Sequence, residues 1–254
     1  MSAFRLGRRS VALGLGALAL APGSAQAFGE AGAFRARLLV AGSGHTDDAR
    51  VQGASRWASE LVHRTSAPGR QAPERVEADR PALFREPFVV WSGREDVGAL
   101  SASEARGLER FLRLGGMLVV DDADPSVGAF GRSARRELAR VIPEAPPVRL
   151  EPSHVLFKTF YLLDRPVGRV LGPTYVEAIV RGRNAVVLLL SHDLLGALAR
   201  QGEGWAFEVT PGGTQQRERA IRFAVNIAMY ALCSDYKDDV VHAPFLLQRR
   251  GRAR

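Results

Sequence analysis

Cysteine is almost missing from this chain. Cys233 is the single one in 254 residues, so no disulfide can form within the chain, and no Cys/His cluster with zinc-ligand spacing exists. Cys233 ends the apolar segment Phe223 to Cys233, where it reads as a small buried hydrophobe and not as a nucleophile. Lysine is nearly as scarce. Lys158 and Lys237 are the only two, so arginine carries the positive charge. Aromatic residues make up 7% of the chain, and the three tryptophans, Trp57, Trp91 and Trp205, read as core or rim aromatics and not as a sugar-stacking platform, with Trp205 in a Gly-rich loop. No apolar run reaches the roughly 20 residues of a membrane-spanning helix. Internal repeats are lacking too.

What the sequence does have begins at its N-terminus. Arg8 and Arg9 precede an apolar run from Val11 to Ala21, Pro22-Gly23-Ser24 breaks that run, and Ala25-Gln26-Ala27 offers a small-x-small cleavage site. Cationic, then apolar, then small is the order of an export signal. The arginine pair in a mildly hydrophobic, Gly- and Ala-rich setting resembles a twin-arginine leader, with Gly7 where Ser or Thr is usual and Val11 where Phe is usual. The expectation is a signal peptide at 1–27, a periplasmic domain over 28–236 and a basic tail over 237–254. The formal net charge is +8. Three of those charges belong to the leader (Arg5, Arg8, Arg9) and four to the tail (Arg249, Arg250, Arg252, Arg254), which leaves the body near +1. A nucleic-acid binder concentrates charge on a folded face, so nucleic acid is excluded as a partner. The tail is either a solvated end or a peripheral contact with an anionic membrane.

Between the two ends, strand-like and helix-like segments alternate, the pattern of an α/β fold with a mostly parallel sheet. Arg37 to Ala41 is the first apolar strand candidate, and Phe88 to Trp91 and Met117 to Val120 are continuous apolar runs, as expected of strands buried on both faces. Helical spacing places Ala54, Trp57, Ala58, Leu61 and Val62 on one face. Ser101-Ala102-Ser103-Glu104 is a capping-box sequence, and Gly115-Gly116 ends the helix that it starts. Ser133 to Ile142 and Gln215 to Cys233 read as further helices. Tyr175 to Arg181 and Ala185 to Leu190, joined by Gly182-Arg183-Asn184, read as a hairpin that makes one edge of the sheet antiparallel.

These segments resemble the DUF4159 domain, a bacterial family of unknown function. The resemblance rests on Pro87 to Gly93, the Leu-x-x-Phe-Leu-x-x-Gly-Gly pattern at Leu108 to Gly116, and the strand Met117 to Asp122 with its terminal Asp-Asp. It continues through His154-Val155-Leu156-Phe157 with Phe160, Gly182-Arg183, Ser191 and Asp193, and Arg222 to Asn226 with Tyr230, and so covers roughly Phe34 to Leu232. The family is similar to the class I glutamine amidotransferases, which implies a flavodoxin-like three-layer sandwich. Those enzymes hold a nucleophilic cysteine on a turn after a central strand. Here that turn carries Asp121-Asp122, and no cysteine is near in sequence, so a thiol mechanism is not expected. Related domains occur beside von Willebrand factor A modules and MoxR-type ATPases, which implies protein partners.

In open parallel sheets ligands bind beyond the carboxyl ends of the strands. Four loops are expected there. The acidic loop Asp121, Asp122, Asp124 has residues suited to a hard cation, to shared-proton chemistry, or to Asx turns and helix capping. His45 follows Gly42-Ser43-Gly44 and precedes Asp47-Asp48, without a G-x-G-x-x-G or Walker pattern. Ser92 ends the Phe88 run. His192-Asp193 follows a buried strand, where Ser191 or Asp193 suits an N-cap. Asn226, alone in an apolar helix, reads as a hydrogen-bond anchor. No cofactor is expected. Two functions follow: a non-catalytic binding or scaffold protein with an unknown small-molecule or protein partner, or a hydrolase using Asp121, Asp122 and His192 in a cleft.

Overall fold

Two apolar runs organise the molecule. In a computed structural model of the chain, which describes residues 32–251 and side chains over 32–233, β3 (Phe88–Gly93) and β4 (Met117–Asp122) lie side by side, and every residue of both is buried. Strands covered on both faces have no polar side to alternate with, which is why these runs are continuously apolar. β1 (Arg37–Val40) and the short β2 (Arg75–Glu77) extend the sheet on one side. β7 (Asn184–Leu190), β6 (Val176–Arg181) and β5 (Val148–Leu150) extend it on the other. The order is β2-β1-β3-β4-β7-β6-β5. The first five strands run parallel, and β6 pairs antiparallel with both β7 and β5. A separate small ribbon pairs β8 (Arg200–Gln201) with β9 (Gly204–Trp205).

Helices cover both faces. α1 (Asp48–Arg64), α4 (Leu194–Leu198) and α5 (Gly213–Gly251) pack on one, joining Leu38, Phe88, Val90 and Val119 in a common core. α2 (Ala102–Arg113) and α3 (Ala129–Val141) pack on the other, over Val89, Trp91, Leu118 and Val120. Odd residues of β4 thus enter one core and even residues the other, as the period of two requires. Ser101 and Glu104 close α2 with a reciprocal capping box. Glu104 also accepts from the Gly42 N–H, tying the loop after β1 to this helix.

Some sequence expectations need adjustment. α3 begins at Ala129, a turn before Ser133, because Gly128 in the left-handed region starts it. β2 and β5 are three-residue edge strands with exposed flanks and no periodic signal. Cys233 is exposed, not buried, although the residue before it on α5, Leu232, is packed in the core. Asn226 is an anchor as expected. Its Oδ1 accepts from Phe160 and Tyr161 N–H, and its Nδ2 donates to the Leu156 and Tyr161 carbonyls. The segment 1–27 lies outside the described residues, as do the side chains of the tail. Among the described residues no helix is long and apolar enough to cross a membrane.

Candidate functional site

The carboxyl ends of β1, β3, β4 and β7 meet above the α1/α4 face of the sheet. Asp121 projects onto that face, in register with Ser92 on β3 and Leu190 on β7. Its two carboxylate oxygens accept from the Leu194 and Leu195 N–H groups, each at 2.8 Å. Burial, then the nearby Asp193 charge, push its pKa up to about 7, against the pull of these two N–H groups and of Arg50.

Asp193 is the centre of the arrangement. It is fully buried, holds left-handed backbone (φ 50°), and is the only non-glycine residue to do so among the described residues. Its Oδ1 accepts from Gly196 N–H at 3.0 Å and caps α4. Arg50 reaches it from α1 with Nε at 2.8 Å and Nη2 at 2.6 Å. The third partner is Arg169, through Nε. Arg50 is buried as well, and its remaining N–H groups go to Asp47 and the Ala123 carbonyl. Burial works against the Arg50 charge, but Asp193 and then Asp47 more than offset it and raise its pKa. The Phe207 ring closes over the guanidinium, 4.6 Å from Arg50 Cζ.

Asp122, one residue on, points to the opposite face. There it accepts from the Asp124 and Gly131 N–H groups, the second at the start of α3. Burial raises its pKa while those donors oppose the rise. Asp124 accepts from the Ser126 hydroxyl, which lowers its pKa. Asx turns and helix capping therefore describe both residues. Asp121 and Asp122 diverge, and no group of three His, Cys, Asp or Glu side chains suited to a metal ion occurs among the described residues.

The two histidines stand apart from this cluster. His45 is exposed on the loop after β1. His192 is buried under the 163–175 segment, with Nε2 2.9 Å from the Pro173 carbonyl and Nδ1 without a partner. Burial first, and the Arg165 charge after it, push its pKa down to about 4. It makes no hydrogen bond to a carboxylate. Gly168 and Gly172 let the covering segment approach, since a Cβ at either would sit 2.1 or 2.4 Å from the His192 or Ser191 carbonyl oxygen.

The structure thus brings together Asp121, Asp193 and Ser92, and leaves His45, His192, Asp122 and Asp124 outside that contact. Arg50, Arg169 and Phe207 were missed in sequence. One signal for Arg50 existed: it is the charged member of the face Arg50, Ala54, Trp57, Leu61, three residues after an N-cap aspartate. Nothing comparable marks Arg169 or Phe207, which are brought in by loops.

The arrangement is that of an α/β sandwich whose mostly parallel seven-stranded sheet carries a buried ionic cluster at its strand ends. Residues 36–232 match the family described as Domain of unknown function (DUF4159), and the chain belongs to that family. No curated protein matches it.

Proposed function

We propose that this is an exported, non-catalytic binding or scaffold protein. In this reading its domain is a relative of the class I glutamine amidotransferase sandwich without the nucleophilic cysteine, and its ligand or partner site lies at the carboxyl ends of the strands. The observation that carries it is how the strand-end charges are spent. Asp193, Arg50 and Asp121 are saturated by one another and by backbone N–H groups, and no nucleophile–base or acid–base pair forms with either neighbouring histidine. The thiol is remote. Cys233 lies one turn past Tyr230, whose hydroxyl accepts from Ala185 N–H at the opposite, N-terminal end of β7.

One feature favours the hydrolase reading: a carboxyl with a pKa of about 7 is poised for proton transfer. Against it, both Asp121 oxygens already hold backbone donors and the side chain is fully buried. Ester, peptide and phosphoester turnover by the mature protein and by Asp121→Asn decides between the two. Turnover that Asp121→Asn abolishes in a folded protein would overturn the binding reading. Export is supported by the order Arg8-Arg9, apolar run, Ala25-Gln26-Ala27. N-terminal sequencing should give Phe28, and Arg8→Lys with Arg9→Lys should block export by the twin-arginine route. Mature protein starting at Met1 or Ser2 would refute it.

A further inference from the structure

Ser92 carries a buried hydroxyl with no hydrogen-bond partner. Buried polar groups normally find partners, and one left unfilled is destabilising. Its position gives that vacancy a meaning. Ser92 ends β3, beside the point where the strand order reverses between β1 and β3. Such reversals open a crevice at the strand ends. By the alternation of β3 its side chain shares a face with Phe88 and Val90, and so with Asp121, its register partner.

Two arginines with uncommitted donors flank the same strand ends. Arg94, two residues after Ser92, is half-exposed and makes no hydrogen bond among the described residues. Its Nε stands 4.0 Å from Asp47 Oδ2, too far for one. Among the described residues Arg169 hydrogen-bonds through its side chain only by Nε, to Asp193, its guanidinium lies 6.0 Å from the Phe207 ring centroid, and its terminal amino groups have no acceptor. Both guanidinium groups lie close enough to Asp124 to hold its pKa down. The backbone of Arg169 is fixed: its N–H donates to the Asp193 carbonyl, and its own carbonyl accepts from Thr210 N–H and Gln216 Nε2. The carboxylates at this rim are engaged, Asp47 by Arg50 and its N-cap bond and Asp124 by Ser126.

Arginine only donates, and a serine hydroxyl can donate. The complement of three donors, two of them cationic, is an acceptor that carries negative charge. We infer that the strand-end crevice takes an oxyanion group, a carboxylate or a phosphate, held by Arg94 and Arg169 with the Ser92 hydroxyl beneath. The inference rests on the binding reading above and names its ligand chemistry. Displacing the loose Arg94–Asp47 contact costs little, because exposed pairs are screened by solvent.

The test uses the mature protein, with inorganic phosphate and succinate as separate probes, titrated at constant ionic strength and followed by amide chemical shifts. The expected result is saturable binding of one probe, with shifts centred on 92–94 and 169. Arg94→Gln and Ser92→Ala should each weaken it roughly tenfold. Arg183→Gln, on the distant β6–β7 turn, should not. Ser92→Ala should also leave the ligand-free melting temperature unchanged or raised, since it removes an unsatisfied hydroxyl. No saturable binding of either probe, or binding that survives Arg94→Gln and Ser92→Ala unchanged, would overturn the inference. Neither outcome involves turnover, so this test can fail while the non-catalytic reading stands, and the reverse.

Discussion

Replacing Asp193 with asparagine isolates a single quantity, the charge that holds the strand ends together. Asparagine is nearly isosteric, tolerates left-handed backbone almost as well as aspartate, and can still accept from Gly196 N–H to cap α4. What it cannot do is neutralise Arg50. That guanidinium is buried and would keep only Asp47, which is partly exposed, and the Ala123 carbonyl. Breaking a buried pair by removing one partner costs about 3–5 kcal/mol. Asp121 gives a little back, because the Asp193 charge that raises its pKa would be gone. The expected net loss is about 3 kcal/mol, a large share of a domain stability of about 5–15 kcal/mol. Urea unfolding at pH 7, followed by circular dichroism, measures it as a fall in midpoint at constant slope. Asp193→Ala should lose about 1–2 kcal/mol more, from the missing cap and from alanine in left-handed backbone. Arg50→Met combined with Asp193→Asn should recover much of the loss, since it removes the stranded charge. A cost below about 1 kcal/mol for Asp193→Asn, or a double variant no better than the single one, would show that the ionic cluster does not hold the strand ends.

His192 should make the fold sensitive to acid. Its pKa is depressed to about 4 when folded and is about 6.5 when unfolded, so the unfolded chain binds the extra proton. Stability is then full above pH 6.5 and falls by up to about 3 kcal/mol as the pH drops toward 4. Asp121, raised to about 7 from about 3.9 when unfolded, acts with the opposite sign over the same range: its stabilising share is full below about pH 4 and is lost as pH rises from about 4 to 7. The difference in unfolding free energy between the parent and His192→Gln should therefore change by up to about 3 kcal/mol from pH 7 to 4, and a difference independent of pH would refute the assignment. Asn226→Leu should cost about 3 kcal/mol, because it strands the Phe160 and Tyr161 N–H groups. Hydrogen exchange should then rise first in 155–161, and uniform protection would argue against the anchor.

Much of this molecule was legible in order along the chain. Continuous apolar runs at Phe88 and Met117 become interior strands because burial on two faces leaves no polar side. Ser101 to Glu104 caps a helix through contacts three residues apart, and Gly182-Arg183 turns the β6–β7 hairpin, with Arg181 paired to Asn184. These are local relations, and local relations survive in one dimension. The acidic Asp-Asp pair was visible too, but its meaning was not. Adjacency suggested a shared site, whereas the pleat sends Asp121 into one core and Asp122 into the other. The partners that define Asp193 come from 143 residues upstream, at Arg50, and from a covering loop, at Arg169. The unpartnered hydroxyl of Ser92 is likewise invisible in sequence, since a vacancy exists only once every neighbour has been placed. Local residue order suffices for the elements, their caps and the two-faced sheet; which charges meet at the strand ends follows only from the folded chain, because long-range electrostatic contacts depend on where the loops cross the sheet and not on spacing along the chain.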